Sequence, residues 1–235
     1  MSNWRERMIG TVLGVVVSIP IAGAQQQDFS KVEITATQLA PNVYALFGAG
    51  GNMALLTGEQ GAVLVDDQFA PLAPKIRAAI ALLTDKPVRF VINTHHHFDH
   101  TGGNEAFGGT GSIIVAHDNT LRRLSTKQLV DFFNMEIPAS PPAALPIVTF
   151  AHNATFHLNG EELEALHVPR AHTDNDVLLF FKKADVVHTG DTYMNPWYPF
   201  VDTGAGGSID GYLEVCRIVL DRSGDRTRII PGHGP

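Results

Sequence analysis

The run Thr94-His95-His96-His97-Phe98-Asp99-His100 is the part of this sequence best equipped for chemistry. It places His95, His97, Asp99 and His100 within six residues, at alternating then adjacent spacing. Neutral imidazole is the commonest protein ligand for zinc-like ions, and carboxylate oxygen is an accepted partner. Four such groups in one short loop are enough to feed two metal ions rather than one. His96 and Phe98 alternate with them and should point elsewhere. An idle polar loop is a poor explanation, because polar and charged groups bunched this way are costly unless paired. Three more candidates each follow a β-type run. They are His172 in Pro169-Arg170-Ala171-His172, Asp191 in His188-Thr189-Gly190-Asp191, and His233 in Pro231-Gly232-His233-Gly234. Asp174 and Asp176 also sit in a loop after a strand. Loops at strand ends converge readily, since a sheet fixes where they start.

The elements that would position these residues alternate between β-type runs and helical patterns, which implies an α/β architecture. Residues 43–47, 53–57 and 62–65 read as strands separated by Gly-containing turns. Pro71 and Pro74 mark a helix start that continues over 75–83. Residues 88–93 form an apolar run too short for a helix, and the His run begins at its C-terminal end. A strand at 113–116 and a helix at 119–133 follow. The stretch 138–146 holds four prolines and reads as a linker. In the second half, 155–158 and 163–168 flank Asn159-Gly160, a favoured hairpin turn. Strands at 177–181 and 186–189, a helix at 211–220 capped by Asp210, and a short strand at 229–230 complete the plan. The closing Pro231-Gly232-His233-Gly234-Pro235 is loop chemistry, so the expectation is a domain that lacks its last helix.

Composition sets outer limits. The chain has 235 residues, 44% hydrophobic and 17% charged, enough for one sizeable core. A single cysteine, Cys216, rules out an internal disulfide and an all-thiolate metal site. Its place in the last helix suggests a small core residue. Residues 1–24 read as a secretory signal: Arg5 and Arg7, an apolar stretch over 8–21, then Ala22-Gly23-Ala24 before Gln25. The apolar stretch is short for a membrane span, which needs roughly 20 residues. Cleavage after Ala24 would leave a domain over 25–235, in the periplasm or outside the cell, with no stable membrane insertion. Losing two Arg and one Glu shifts the net charge from −7 to −8. Such an acidic surface argues against a nucleic-acid partner.

The ordered set His95-x-His97-x-Asp99-His100, His172, Asp191 and His233 resembles the metallo-β-lactamase-fold hydrolase superfamily. The resemblance covers nearly all of residues 25–235. It implies a four-layer αβ/βα sandwich with metals at one edge, between the two sheets. It implies one site of His95, His97 and His172, a second of Asp99, His100 and His233, and Asp191 bridging the two. An Asp at 191 resembles the thioesterase and lactonase branches more than the lactamases that carry Cys there. Lactamases without that Cys usually lack the bridging Asp as well.

The resemblance implies two Zn²⁺, with iron or manganese as substitutes, since geometry and supply select among such ions. Two close ions lower the pKa of a shared water, and the resulting hydroxide attacks an acyl carbonyl of a small molecule. β-Lactam, lactone and thioester are the candidate bonds. Asp99 is the expected catalytic residue, holding the nucleophile and carrying a proton to the leaving group. Tyr193, Trp197 and Asn52 are candidate substrate contacts, on cleft walls formed by 48–52 and 193–200. Residues 204–207 offer a flexible edge. Asp66 or Asp67 could accept the second N–H of a ligating His, and His117 and His188 are lesser candidates for such support. Two rivals remain: a mononuclear iron persulfide dioxygenase on the same scaffold, and a non-catalytic accessory protein.

Overall fold

The computed structural model describes residues 28–130, 134–168 and 170–235. The expected signal at 1–24 therefore lies outside the described residues. No described helix is long and apolar enough to cross a membrane.

Two sheets stack face to face, and helices cover their outer sides. The first sheet has seven strands: β1 (Thr35–Ala40), β2 (Val43–Phe47), β3 (Met53–Leu56), β4 (Ala62–Val65), β5 (Val88–Ile92), β6 (Ile113–His117) and β9 (Val148–Phe150), in that spatial order. β4, β5, β6 and β9 run parallel, and the β1–β4 neighbours run antiparallel. The second sheet holds β10 (Asn153–Leu158), β11 (Glu161–His167), β12 (Val177–Phe181), β13 (Val186–His188) and β14 (Arg228–Ile230). β13 and β14 are parallel. A small pair, β7 (Gln128–Val130) and β8 (Met135–Ile137), stands apart.

Period-two alternation along the strands produces the layers. Ala54 and Leu56 of β3, Val63 and Val65 of β4, and Val177, Leu179 and Phe181 of β12 fill the seam between the sheets. Met53, Leu55, Ala62 and Leu64 point the other way, onto Ile76 and Ile80 of α1 (Ala73–Ala81) and Phe107 of α3 (Asn104–Gly108). Leu178 and Phe180 turn outward onto Tyr212 and Val215 of α5 (Ile209–Arg222). The order is helix, sheet, sheet, helix, as expected. Strands buried on both faces read as continuous apolar runs, which is why 62–65 and 177–181 were legible.

Several boundaries differ from the sequence reading. The helix expected over 119–133 is α4 (Asp118–Leu124) only. The Gln128 amide donates to the carbonyls of Arg123, Thr126 and Lys127, tying off the helix end, and β7 begins at Gln128 itself. Strands β1 and β9 carried no sequence signal. β1 is a mostly exposed edge, and β9 has three residues. The proline-rich linker folds partly into a 3-10 turn, Pro142–Ala144. Ser208, not Asp210, caps α5, accepting from the Gly211 N–H. Cys216 is exposed, not core. α5 buries Gly211, Tyr212 and Val215, and the next residue turns about 100° away from Val215. The Asn159-Gly160 turn is as expected, with φ of 54° and 75°.

Candidate metal centre

Every residue of the opening constellation comes from a loop at one rim of the sandwich. His95 and His97 follow β5, and Asp99 and His100 lie in α2 (Phe98–Thr101), a single helical turn. His172 sits between β11 and β12. Asp191 follows β13, and His233 follows β14. The rim is stitched across the sheets by Val177 N–H to the Thr94 carbonyl at 2.8 Å and Asn52 N–H to the Gly232 carbonyl at 2.7 Å.

The donor atoms form two groups. His95, His97, His172 and Asp191 make one, and Asp99, His100 and His233 the other, with atoms of each group within 4.8 Å of one another. His97 Nδ1 lies 3.1 Å from His95 Nε2 and 2.9 Å from His172 Nε2. Asp191 stands between the groups. Its Oδ2 is 3.5 Å from His172 Nε2 and 3.4 Å from His233 Nε2, and its Oδ1 is 3.1 Å from His100 Nε2. Asp99 Oδ2 is 3.2 Å from His233 Nε2, and His100 Nε2 is 3.3 Å from His233 Nε2.

The backs of the rings decide what the fronts offer. His97 Nε2 faces Asp202 Oδ2 at 3.0 Å, and His172 Nδ1 faces the Phe200 carbonyl at 2.7 Å. His100 Nδ1 faces Asp66 Oδ2 at 2.8 Å. His95 Nδ1 faces Thr94 Oγ1 at 3.1 Å, and that hydroxyl donates to Asp66 Oδ2 at 2.7 Å. Each of these four outward nitrogens meets an acceptor, so each ring donates outward, and the His95, His97 and His172 rings present bare inward nitrogens. Bare nitrogens about 3 Å apart repel unless a cation sits among them. Asp191 Oδ1 is also buried and accepts no hydrogen bond. This mixed N/O donor set fits a divalent metal ion in each group.

Protonation separates the groups. Burial drives the His95 ring well below its ordinary pKa, helped by the charge of His100. Burial also lowers His172 to about 4, against the pull of Asp191. His100 is buried too, yet Asp191, Asp99 and Asp66 lift it well above the usual value. His233 is raised to about 9: burial opposes, but hydrogen bonds to Asp191 and Asp99 prevail. Burial works against the Asp191 and Asp99 carboxylates, yet His100 and His233 hold both below the ordinary range.

The other candidates fall in different places. Asp66, not Asp67, backs a ligand candidate. Asp67 accepts from Gly103 N–H and, through burial, has its pKa raised well above normal. His96 turns away to Asn175 Nδ2 at 3.1 Å. Asn52, expected on a cleft wall, is buried and spends its amide on the carbonyls of Pro231 and Gly234, clamping the His233 loop. His188 supports the same clamp, donating from Nε2 to the Asn52 carbonyl at 2.9 Å. Tyr193, also expected on the cleft, lines a groove with Val215, Cys216 and Leu220 instead. Trp197 is exposed on the rim, its ring 6.5 Å from that of His233. Gly51 packs behind the site, where a Cβ would overlap the His100 ring. His117 stacks on His167 at 3.6 Å, away from the ligands.

A cavity of about 310 Å³ opens over the second group, walled by Phe69, Phe98, Val130, Met194 and Phe200, with His97, Asp99, Asp191 and His233 as its polar residues. Sequence reasoning missed Asp202 and Thr94. Asp202 opens a Gly-rich turn, where its Oδ1 accepts from Ala205 N–H, and that Asx-turn pattern was the available signal.

The sequence pattern described as the metallo-beta-lactamase superfamily matches residues 46–233, so the chain belongs to that superfamily. Hydroxyacylglutathione hydrolase of Polaromonas sp. is 26% identical over 183 residues, which is 77% of this chain and 61% of that protein. The 2,4-dinitroanisole O-demethylase subunit alpha of Nocardioides sp. is 26% identical over 146 residues, 59% of this chain and 42% of that protein. The chain thus spans roughly two-fifths to three-fifths of the length of the curated relatives it matches. Among solved structures, a metallo-beta-lactamase from Pontibacter korlensis superposes with a TM-score of 0.67 at 20% identity, covering 86% of this chain and 92% of that one. The metallo-beta-lactamase FIM-1 from Pseudomonas aeruginosa, in its mono-zinc form, gives 0.66 at 19% identity, covering 87% and 89%. At such identities the likeness is one of fold.

Proposed function

We propose that this protein is a binuclear metal-dependent hydrolase that cleaves an acyl bond of a small molecule, a β-lactam, lactone or thioester. The observation that carries this reading is the set of imidazoles on both sides of the Asp191 carboxylate, with the outer nitrogens of His95, His97, His100 and His172 each held by an acceptor and their inner nitrogens turned toward one another and toward that carboxylate. In this reading His95, His97 and His172 would hold one ion, Asp99, His100 and His233 would hold the other, and the Asp191 carboxylate, which stands between the groups, would serve both. Zinc suits the donors best. A pair of divalent ions there supplies a water of lowered pKa and polarises a carbonyl. Asp99 does the protein's own share. Its carboxylate lies on the cavity, is held ionised by His100 and His233, and is free to take a proton and return it to the leaving group. The printed name of the hydroxyacylglutathione hydrolases supports the thioester end of this range.

Metal analysis of the purified protein, combined with hydrolysis assays on β-lactams, lactones and thioesters, tests the reading. The expected result is two ions per chain and metal-dependent turnover, with Asp191→Ala losing both. A single iron with O₂ uptake would replace the reading by the dioxygenase. We further propose export through residues 1–24. N-terminal sequencing of the exported form should begin at Gln25.

A further inference from the structure

The cavity beside the metal centre has a charge pattern that bears on the substrate. Its walls are Phe69, Phe98, Val130, Met194 and Phe200, and among the described residues no Lys or Arg lines it. The aromatic wall is braced. The Phe69 ring packs on Phe29 at 5.1 Å and on Phe98 at 5.6 Å. Phe200 is pinned because its carbonyl accepts from both His172 Nδ1 and the Tyr212 hydroxyl, at 2.7 Å each. Arg123 lies in the adjoining crevice, which shares His97, Phe98 and Val130 with the cavity. Its guanidinium is spent on Asp174, with Nε and Nη2 each 2.8 Å from a carboxylate oxygen. Gln128 takes Nη1 at 3.1 Å. Apart from the imidazoles and the ions they would hold, a substrate carboxylate in this cavity would find no Lys or Arg to pair with and would face the Asp99 and Asp191 carboxylates, which disfavours it. A phenyl or short alkyl group would gain from the same walls. At about 310 Å³ the cavity is at the small end for ligand sites, enough for one ring and a short acyl chain.

We infer that this cavity selects compact, uncharged acyl compounds with an aromatic or alkyl group next to the scissile bond, and discriminates against substrates bearing a carboxylate. The inference rests on the hydrolase reading above for the bond, and on the wall alone for the selectivity. A carboxylate drawn to the ions themselves would take the place of the carbonyl and register as inhibition, not turnover.

Two measurements on the metal-loaded full chain test it. The first compares 4-nitrophenyl butyrate with the same ester extended to a terminal carboxylate. The expected kcat/KM ratio favours the neutral ester by about a hundredfold, the order expected for leaving a buried charge unpaired. Equal rates, or a preference for the anion, would overturn the inference while leaving the hydrolase reading intact. The second needs no turnover. Nitrobenzene, which has no acyl bond, should quench Trp197 saturably, with Trp197→Phe as the blank for Trp4, and Phe98→Ser should weaken that binding by about tenfold. Quenching that never saturates, or that Phe98→Ser leaves unchanged, also overturns it. If neither ester is cleaved but nitrobenzene binds as stated, the hydrolase reading fails and the selective cavity stands.

Discussion

The two halves of the metal centre are built differently. His95, His97 and His172 are buried together, each with its outer nitrogen held, and burial keeps His95 and His172 deprotonated well into acid. Asp99 and His233 face the cavity, each about one-fifth exposed, while His100 is buried, and His100 and His233 retain protons at neutral pH when no metal is present. The first half is therefore organised before any ion arrives. The second must exchange protons for its ion. The difference arises from carboxylate placement: Asp191 and Asp99 point toward the rings of the second half and hold charge there.

The largest expected contrast comes from deleting a ligand candidate on each side. His172→Ala should abolish turnover and lower metal content to one ion or none, whereas His233→Ala should keep one tightly held ion and a folded protein. Equal loss from both would erase the asymmetry. Metal content by mass spectrometry and thermal unfolding would read the outcome.

The pH dependence of metal loading is the next test. His233, raised to about 9, and His100, raised well above its usual value, both hold protons that compete for the second site, so affinity there should fall by about tenfold per pH unit for each proton displaced. At the first site burial keeps the His95 and His172 rings neutral, His172 down to about 4, so this competition should be weaker there. Calorimetric metal titrations between pH 6 and pH 9 should show one affinity that moves more steeply than the other.

The supporting carboxylates separate the halves more finely. Asp202 backs His97 alone, while Asp66 backs His100 directly and His95 through Thr94. Asp202→Asn should weaken the first site by about 10- to 100-fold and spare the second. Asp66→Asn should weaken both. A smaller effect is expected from Tyr212→Phe. The hydroxyl lies 2.8 Å from the Asp191 carbonyl and 2.7 Å from that of Phe200, so its loss should cost about 1–3 kcal/mol of stability by denaturant unfolding. Metal content should be unchanged in that variant.

Much of this arrangement was legible in the chain. The His run names its own purpose through residue type and spacing. The strands before Thr94, Asp191 and His233 were visible as short runs rich in Val and Ile. Tyr193 and Asn52 show where that legibility stops. Tyr193 is two residues from Asp191 and Asn52 lies in the Gly-rich loop after β2, but Tyr193 lines a groove with Val215 and Cys216, and the Asn52 amide is consumed by Pro231 and Gly234. Sequence distance does not reveal which way a loop side chain turns. The same applies to Gln128, whose amide ends α4 by closing onto carbonyls behind it.

The α/β class and the seven candidate donor side chains can be read along the chain, because strand periodicity and ligand type are local properties. Only the tertiary structure decided which nitrogen each imidazole presents, since that depends on acceptors as remote as Asp202 for His97 and Asp66 for His100. It also decided the protonation contrast between the two halves and the uncharged wall of Phe69, Phe98, Val130, Met194 and Phe200. Those properties depend on burial and on distances between segments far apart in the chain, which no local pattern of residues encodes.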